Sequence, residues 1–389
     1  MASQIALPRL MRIGAGALDE TPAVLGTLGL GRPLIVTDGF LAAHGIADRL
    51  QALLKGADVQ AGVFSDTVPE PHTEAVERAL AAVLAGDYDC LIGLGGGSPI
   101  DTAKAVAVLA RQGGRMRDYK APRDVTGPAL PVIGIPTTAG TGSECTRFTV
   151  IKDSDTDEKM LCLGLSFMPV AAIVDYELTL TMPRRLTADT GIDALTHAIE
   201  AYVSRRASPF SDGFALSAMA ALARNLRPAC ADPQDHKARE AMMLGATQAG
   251  IAFSNSSVAL VHGMSRPIGA HFHVPHGLSN AMLLPLVTAW SAPSAAMRYA
   301  QCARAMGAAP QESSDEVAVS RLVEELWTLN GDLQVPSPKA FGIDESLWRQ
   351  LLPLMAEEAI GSGSPGNNPR TPDADEIIGL YQRAWTGAR

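Results

Sequence analysis

Four of the eight histidines fall between Val261 and Pro285, in VHGMSRPIGAHFHVPHGLSNAMLLP. Two of them, His262 and His276, stand in V-H-G and P-H-G settings fourteen residues apart. Upstream, in GIDALTHAIEA, Asp193 and His197 are spaced i, i+4, which projects both from one face of a helix. One carboxylate and three imidazoles make a donor set that suits a divalent transition metal, and not Ca²⁺ or Mg²⁺. A histidine met singly is ordinarily a surface or satisfied residue, so the clustering is what points to a metal.

A second chemistry is written in LIGLGGGSPID, Leu91–Asp101. An apolar run enters three glycines and then a helical pattern. Gly95, Gly96 and Gly97 lack Cβ atoms, so backbone N–H groups can close on an anion. Ser98 reads as the N-cap, Pro99 as the first helical residue and Asp101 as the end of a capping-box-like S-x-x-D. A phosphate here would gain both donors and helix dipole. The G-x-G-x-x-G fingerprint is not matched, because Ser98 stands at its third glycine, and a ligand-free tight turn is the alternative. Asp38 closes an earlier apolar run, where a carboxylate can accept from an adenosine ribose or cap the next turn. Pro136–Glu144 (PTTAGTGSE) is dense in hydroxyls and glycine, fit to wrap a nucleotide or to cap a helix.

These residues need a scaffold. Buried strands are expected at Arg32–Asp38, Cys90–Leu94, Pro131–Ile135 and Ala171–Asp175, with helices at Ala42–Leu54, Thr73–Ala85 and Pro99–Ala110. Continuous apolar strands alternating with helices imply a parallel sheet covered on both faces. From about Leu186 strand signals give way to Ala/Leu/Met-rich helical segments such as Asp212–Leu226, Lys237–Phe253 and Pro293–Met306. The expected division is an α/β domain over 1–185 and an all-α domain over 186–389. The Gly/Pro/Asn-rich run Gly361–Asp375 reads as an exposed loop before a last helix.

A net charge of −9, with no basic stripe, argues against a nucleic-acid partner. The five cysteines form no C-x-x-C pair, which fits free thiols in a reducing compartment. The N-terminus lacks a signal-peptide h-region, and no apolar run reaches membrane-spanning length, so a cytoplasmic protein is expected.

GGGSPIDTAK (Gly95–Lys104), IPTTAGTGSE (Ile135–Glu144), GIDALTHAIEAY (Gly191–Tyr202) and VHGMSRPIGAHFHVPHG (Val261–Gly277) together resemble the iron-containing, or group III, alcohol dehydrogenases, in that family's order and spacing. The resemblance implies an α/β dinucleotide-binding domain followed by an all-helical metal-binding domain, the dehydroquinate-synthase-like architecture, with the active site in the cleft between them. It makes Asp193, His197, His262 and His276 the metal ligands. It assigns Gly95, Gly96, Gly97 and Ser98 to the pyrophosphate, Thr137, Thr138 and Thr141 to adenine, pyrophosphate or nicotinamide, and Lys159 to a cofactor ribose. Asp38 matches an acidic position favouring NAD over NADP. The family generally uses Fe²⁺, with Zn²⁺ in some members, and commonly forms dimers or larger homo-oligomers. The implied reaction is hydride transfer between NAD(H) and a small primary alcohol or aldehyde, the cation stabilising the alkoxide.

Four positions depart from the family's pattern. Arg266 stands where many relatives carry a histidine, and a guanidinium cannot shuttle a proton at physiological pH. It is expected to pair with an anionic group on the substrate, or else to hold loop carbonyls. His271 and His273 replace aromatic or amide residues, and His273 is the expected substitute proton relay. Phe148 replaces a cofactor-contacting Asn in some relatives. The competing reading is a dehydroquinate-synthase-like NAD- and Zn²⁺-dependent cyclase or lyase, which the D-x-x-x-H pair and the PHG segment fit less well.

Overall fold

Leu34 and Val36 pack on one face of a sheet while Ile35, between them, packs on the other. Leu91 and Ile92 divide in the same way. An unbroken apolar run is therefore what a strand covered on both faces requires. The computed structural model describes residues 4–387. Among these, one unit spans Gln4–Thr181 and a second runs from Met182 onward.

The first unit contains β1 (Leu10–Ile13), β2 (Pro33–Asp38), β3 (Gly62–Thr67), β4 (Cys90–Gly95), β5 (Val132–Pro136), β6 (Phe148–Lys152), β7 (Lys159–Leu163) and β8 (Ala171–Val174). Six of them form a sheet in the order β1-β8-β5-β4-β2-β3, parallel at every pairing. On one face lie helices Thr73–Ala85 and Gly97–Gln112, with Ile151, Met160 and Cys162 of the antiparallel β6–β7 hairpin. On the other lie Leu18, Val24 and Leu25, and Leu50 and Leu54 of helix Ile46–Gly56. From β2 the chain steps outward to β3, whereas β4, β5 and β8 run the opposite way. The topological switch therefore falls between β2 and β4, whose carboxyl ends are Asp38 and Gly95. In open parallel sheets a ligand binds at that point.

The second unit is helical throughout its described residues. Its central helix, Arg184–Val203, is buried continuously from Gly191 to Val203. Helices Pro209–Ala231, His236–Ser254, Leu260–Phe272 and His276–Ser291 pack on it. Asp193, Thr196, His197 and Glu200 therefore lie in the interior, where polar groups need partners. No helix among the described residues is long and apolar enough to cross a membrane.

The unit boundary at 181/182 precedes the helix starting at Arg184. Several local expectations are corrected. The helix expected over Ala42–Leu54 is two, Gly39–Ala43 and Ile46–Gly56, broken where Gly45 adopts φ 77°. Pro293–Met306 is likewise divided, into a short 3-10 turn and helix Ala296–Met306. Gly361–Asp375 is not an exposed loop: Ser364, Pro365, Asn367 and Asn368 are buried. Asn368 Nδ2 donates to Ser291 Oγ at 3.0 Å, and Asn367 Nδ2 to Ser257 Oγ at 2.9 Å. Those side-chain bonds hold the segment in, although its composition is that of a surface loop.

Candidate metal and dinucleotide sites

Asp193 and His197 project together from the central helix, with His197 Nε2 4.0 Å from Asp193 Oδ1. His262 enters from the first turn of helix Leu260–Phe272, its Nε2 3.5 Å from the same oxygen. His276 opens helix His276–Ser291, its Nε2 3.7 Å from that oxygen. This last helix can start so close because its second residue is Gly277, where a Cβ would lie 2.3 Å from the carbonyl oxygen of Asp189. Asp193, His262 and His276 each offer one ligand atom, all within 4.8 Å of one another. His197 flanks this trio, its ring stacked on those of His262 at 4.4 Å and Phe253 at 4.3 Å. The cluster is buried except at His276, whose side chain is 42% exposed, which leaves one side open.

Two residues that the sequence reading did not single out organise the group. Glu200 Oε2 accepts from His262 Nδ1 at 2.6 Å and from the backbone N–H of Ala259 at 2.8 Å. Its Oε1 accepts from the N–H of Val261 at 2.6 Å. Placing the proton on Nδ1 leaves Nε2 as a lone pair facing Asp193. Asn280 Nδ2 donates to Asp193 Oδ1 at 2.6 Å and lies 3.2 Å from His262 Nε2 and 3.3 Å from His276 Nε2. Three ligand atoms thus converge on one nitrogen, as they would on a cation. Both residues had a readable signal: Glu200 follows Asp193 and His197 in an i, i+4, i+7 stripe, and Asn280 is four residues after His276.

Electrostatics favour an ionised carboxylate here. Burial opposes the charge on Asp193, but His197, His276 and His262 hold its carboxyl far below the usual range. Burial likewise disfavours a cationic His262, and Glu200 with Asp193 outweighs it, raising that imidazole's pKa. The donor set, its convergence and its imposed tautomer fit a divalent transition metal.

Arg266 lies one turn after His262. Its Nη1 donates to Ser364 Oγ at 3.0 Å, its one hydrogen bond among the described residues. Burial lowers its pKa and the negative charge of Glu200 counters that. His273 lies outside the ligand trio: it ends helix Leu260–Phe272 in a left-handed conformation, φ 54°, with an exposed side chain. His271 is paired with Glu358, Nε2 to Oε2 2.9 Å.

In the first unit β4 ends at Gly95, with φ +150° and no room for a Cβ, which would lie 2.6 Å from Pro99 Cγ. Helix Gly97–Gln112 follows with Gly96 as N-cap and no side-chain cap, so Ser98 is inside the helix and not its cap. Asp101 does not close a capping box. Its Oδ1 accepts from Ser143 Oγ at 2.5 Å and its Oδ2 from the Val150 N–H at 2.9 Å, tying the helix to the segment after Pro136–Gly142. Thr137 N–H donates to Gly95 O at 2.9 Å. Thr138 faces Gly96, and Thr141 packs so near Gly97 that a Cβ there would lie 3.0 Å from its Cγ2. Uncapped helix N–H groups beside a hydroxyl-rich loop fit a pyrophosphate. Asp38 caps helix Gly39–Ala43, Oδ1 accepting from Leu41 N–H at 2.9 Å, which leaves Oδ2 for another donor. Lys159 begins β7 and pairs with Glu70, Nζ to Oε1 2.5 Å.

The family described as "Iron-containing alcohol dehydrogenase" matches residues 8–176, and that described as "Fe-containing alcohol dehydrogenase family, C-terminal" matches residues 187–385. The chain is 41% identical over 358 residues to long-chain-alcohol dehydrogenase 1 of Geobacillus thermodenitrificans, covering 90% of this chain and 89% of that protein. Its structure is similar to that of 1,3-propanediol oxidoreductase, with TM-score 0.95 and 32% identity over 99% of this chain and 100% of the other. It is also similar to sulfoacetaldehyde reductase from Bifidobacterium kashiwanohense in complex with NAD⁺, with TM-score 0.88 and 27% identity over 99% of both chains. The chain belongs to the iron-containing alcohol dehydrogenase family, and its reaction is hydride transfer between a nicotinamide cofactor and an alcohol or aldehyde.

Proposed function

We propose that the chain is an NAD-dependent reductase and dehydrogenase of small aldehydes and primary alcohols bearing an anionic group. Asp193, His197, His262 and His276 would hold the metal, Fe²⁺ or Zn²⁺, which when bound supplies positive charge to the substrate oxygen. The observation that carries the reading is the convergence of Asp193, His262 and His276 on one point, with Glu200 fixing the tautomer of His262.

The first unit's residues bind and orient the cofactor. Gly95, Gly96, Gly97 and Ser98 present the start of a helix to the pyrophosphate, and Thr137, Thr138 and Thr141 line the neighbouring loop. Asp38 and Lys159 take the ribose end, and the carboxylate at Asp38 supports NAD over NADP. Arg266 keeps its charge, and with one nitrogen bound to Ser364 the other arms of the fork remain to receive a carboxylate or sulfonate. The similarity to a sulfoacetaldehyde reductase supports that choice of substrate. His273, exposed at the end of the same helix, would exchange protons with solvent. The five cysteines are buried free thiols, which supports a reducing, cytoplasmic setting.

The test is NADH oxidation with paired neutral and sulfonated or carboxylated C2–C6 aldehydes, on enzyme reconstituted with Fe²⁺ or Zn²⁺. The reading expects kcat/KM to favour the anionic member of each pair and Arg266→His to erase that preference. An unchanged preference in the variant removes the anchoring role of Arg266.

A further inference from the structure

The carboxyl edge of the sheet carries a charged pair that neither the glycine turn nor Asp38 explains. β2 ends at Asp38 and its register partner on β3 is Thr67, which ends that strand. Three residues on stands Glu70, between Pro69 and Pro71, with φ 54°. A left-handed glutamate is uncommon and costs conformational energy, so something must hold it there. The next residues are pinned: Lys152 N–H donates to Pro71 O at 2.8 Å, and His72 bridges Lys152. Lys152 is the hairpin partner of Lys159, which brings the Lys159 side chain to the same turn. There Nζ meets Glu70 Oε1 at 2.5 Å, with the lysine side chain only 14% exposed and the glutamate 41%.

We propose that Glu70 is a cofactor-specificity residue, which holds the Lys159 ammonium and with Asp38 makes the ribose end of the site acidic. This rests on the reading that the β2/β4 switch point binds the dinucleotide. An unpaired ammonium at that edge would attract a 2′-phosphate, whose charge is about −1.5 to −2. With Glu70 in place that cation is already neutralised, and two carboxylates face the 2′ position. A cofactor with a free 2′-hydroxyl donates to a carboxylate, while one with a phosphate is repelled. Glu70 thus selects through Lys159 as well as directly.

The experiment is equilibrium titration of the metal-loaded, full-length protein with NADH and with NADPH, followed by nicotinamide fluorescence, for wild type, Glu70→Gln, Glu70→Asp, Lys159→Met and the Glu70→Gln/Lys159→Met double variant. Wild type is expected to bind NADH the more tightly. Glu70→Gln should shift the NADPH-to-NADH affinity ratio toward NADPH by roughly tenfold, the effect of about 1.4 kcal/mol. Glu70→Asp should keep the wild-type ratio, and the shift should shrink when Lys159 is already Met. A ratio within roughly twofold of wild type in Glu70→Gln, while NADH still binds, overturns the proposal and leaves the dinucleotide site standing. Equal weakening toward both dinucleotides also overturns it, because it shows a structural role only. A wild type that binds neither removes the cofactor reading and this inference with it.

Discussion

Glu200 and His262 are joined by a bond of 2.6 Å between Oε2 and Nδ1, inside a helix pair where both side chains are almost wholly buried. The same carboxylate accepts the backbone N–H groups of Ala259 and Val261 at the start of the helix that carries His262. One residue therefore fixes the position of the helix start, the orientation of the ring and the nitrogen that carries the proton.

Glu200→Gln should weaken divalent-metal affinity by roughly 10- to 100-fold, the usual effect of losing a carboxylate behind a ligating histidine. Competition against a chromogenic chelator measures this without turnover. Glu200→Ala is a harsher change, leaving two buried N–H groups unpaired at about 1–3 kcal/mol each, and should lower the melting temperature even without metal. Wild-type metal affinity in Glu200→Gln would show that the ring needs no help from this side.

Asn280→Leu separates the metal-free from the metal-loaded state. The amide nitrogen donates to Asp193 and lies within 3.3 Å of His262 Nε2 and His276 Nε2. Without it and without metal, the buried Asp193 carboxylate loses a hydrogen bond, and stability should fall by about 1–3 kcal/mol. With metal bound, the cation serves that carboxylate and the loss should be smaller. Melting curves of the variant with and without Zn²⁺ check this, and equal losses in both states would place the role of the amide elsewhere.

The glycine turn makes a prediction about binding alone. A methyl at residue 97 would sit 3.0 Å from Thr141 Cγ2, so the hydroxyl-rich loop must give way by a few tenths of an ångström. Gly97→Ala should raise the dissociation constant for NADH by roughly tenfold, a displacement worth about 1.4 kcal/mol. The melting temperature without cofactor should change little, because nothing in the core is touched. Unchanged NADH affinity would mean that the loop moves freely and Thr141 is not placed by Gly97.

What could be read in the sequence followed from periodicity and from residue types with a narrow use. Leu34–Val36 and Val132–Ile133 are apolar without alternation because both faces are covered. Thr73–Ala85 has the bounds expected of it, since His72 caps it through Nδ1 and Gly86 follows its end. The β6–β7 hairpin was not expected, although its strands alternate buried and half-buried residues, the signal of a one-sided strand. β3 is an edge strand, and its mixed burial hides it. Ser98 looks like a cap by type, but the helix starts two residues earlier than that cap implies, at Gly97, and leaves its first N–H groups without a side chain. The buried run after Gly361 was illegible because its partners, Ser291 and Ser257, are distant in sequence. Long-range hydrogen bonds of this kind leave no local pattern.

Lys104 supplies a prediction in pH. Its Nζ is wholly buried and donates to Ser143 Oγ at 2.8 Å, Thr146 Oγ1 at 3.0 Å and Phe148 O at 2.9 Å. Burial pushes its pKa down to about 8 from 10.5, against the pull of Asp101, Glu144 and Cys145. Between those two values the unfolded chain holds a proton that the folded chain has released. Stability contributed by this group therefore rises with pH across that window, and the cost of burying its charge is greatest below it. Comparing urea unfolding of wild type and Lys104→Met at pH 7 and pH 9.5 isolates the effect, because the other titrating groups are common to both. The wild type should gain on the variant at the higher pH. Parallel behaviour of the two proteins would mean that the three hydrogen bonds fully offset the burial, and that Lys104 titrates as an ordinary lysine.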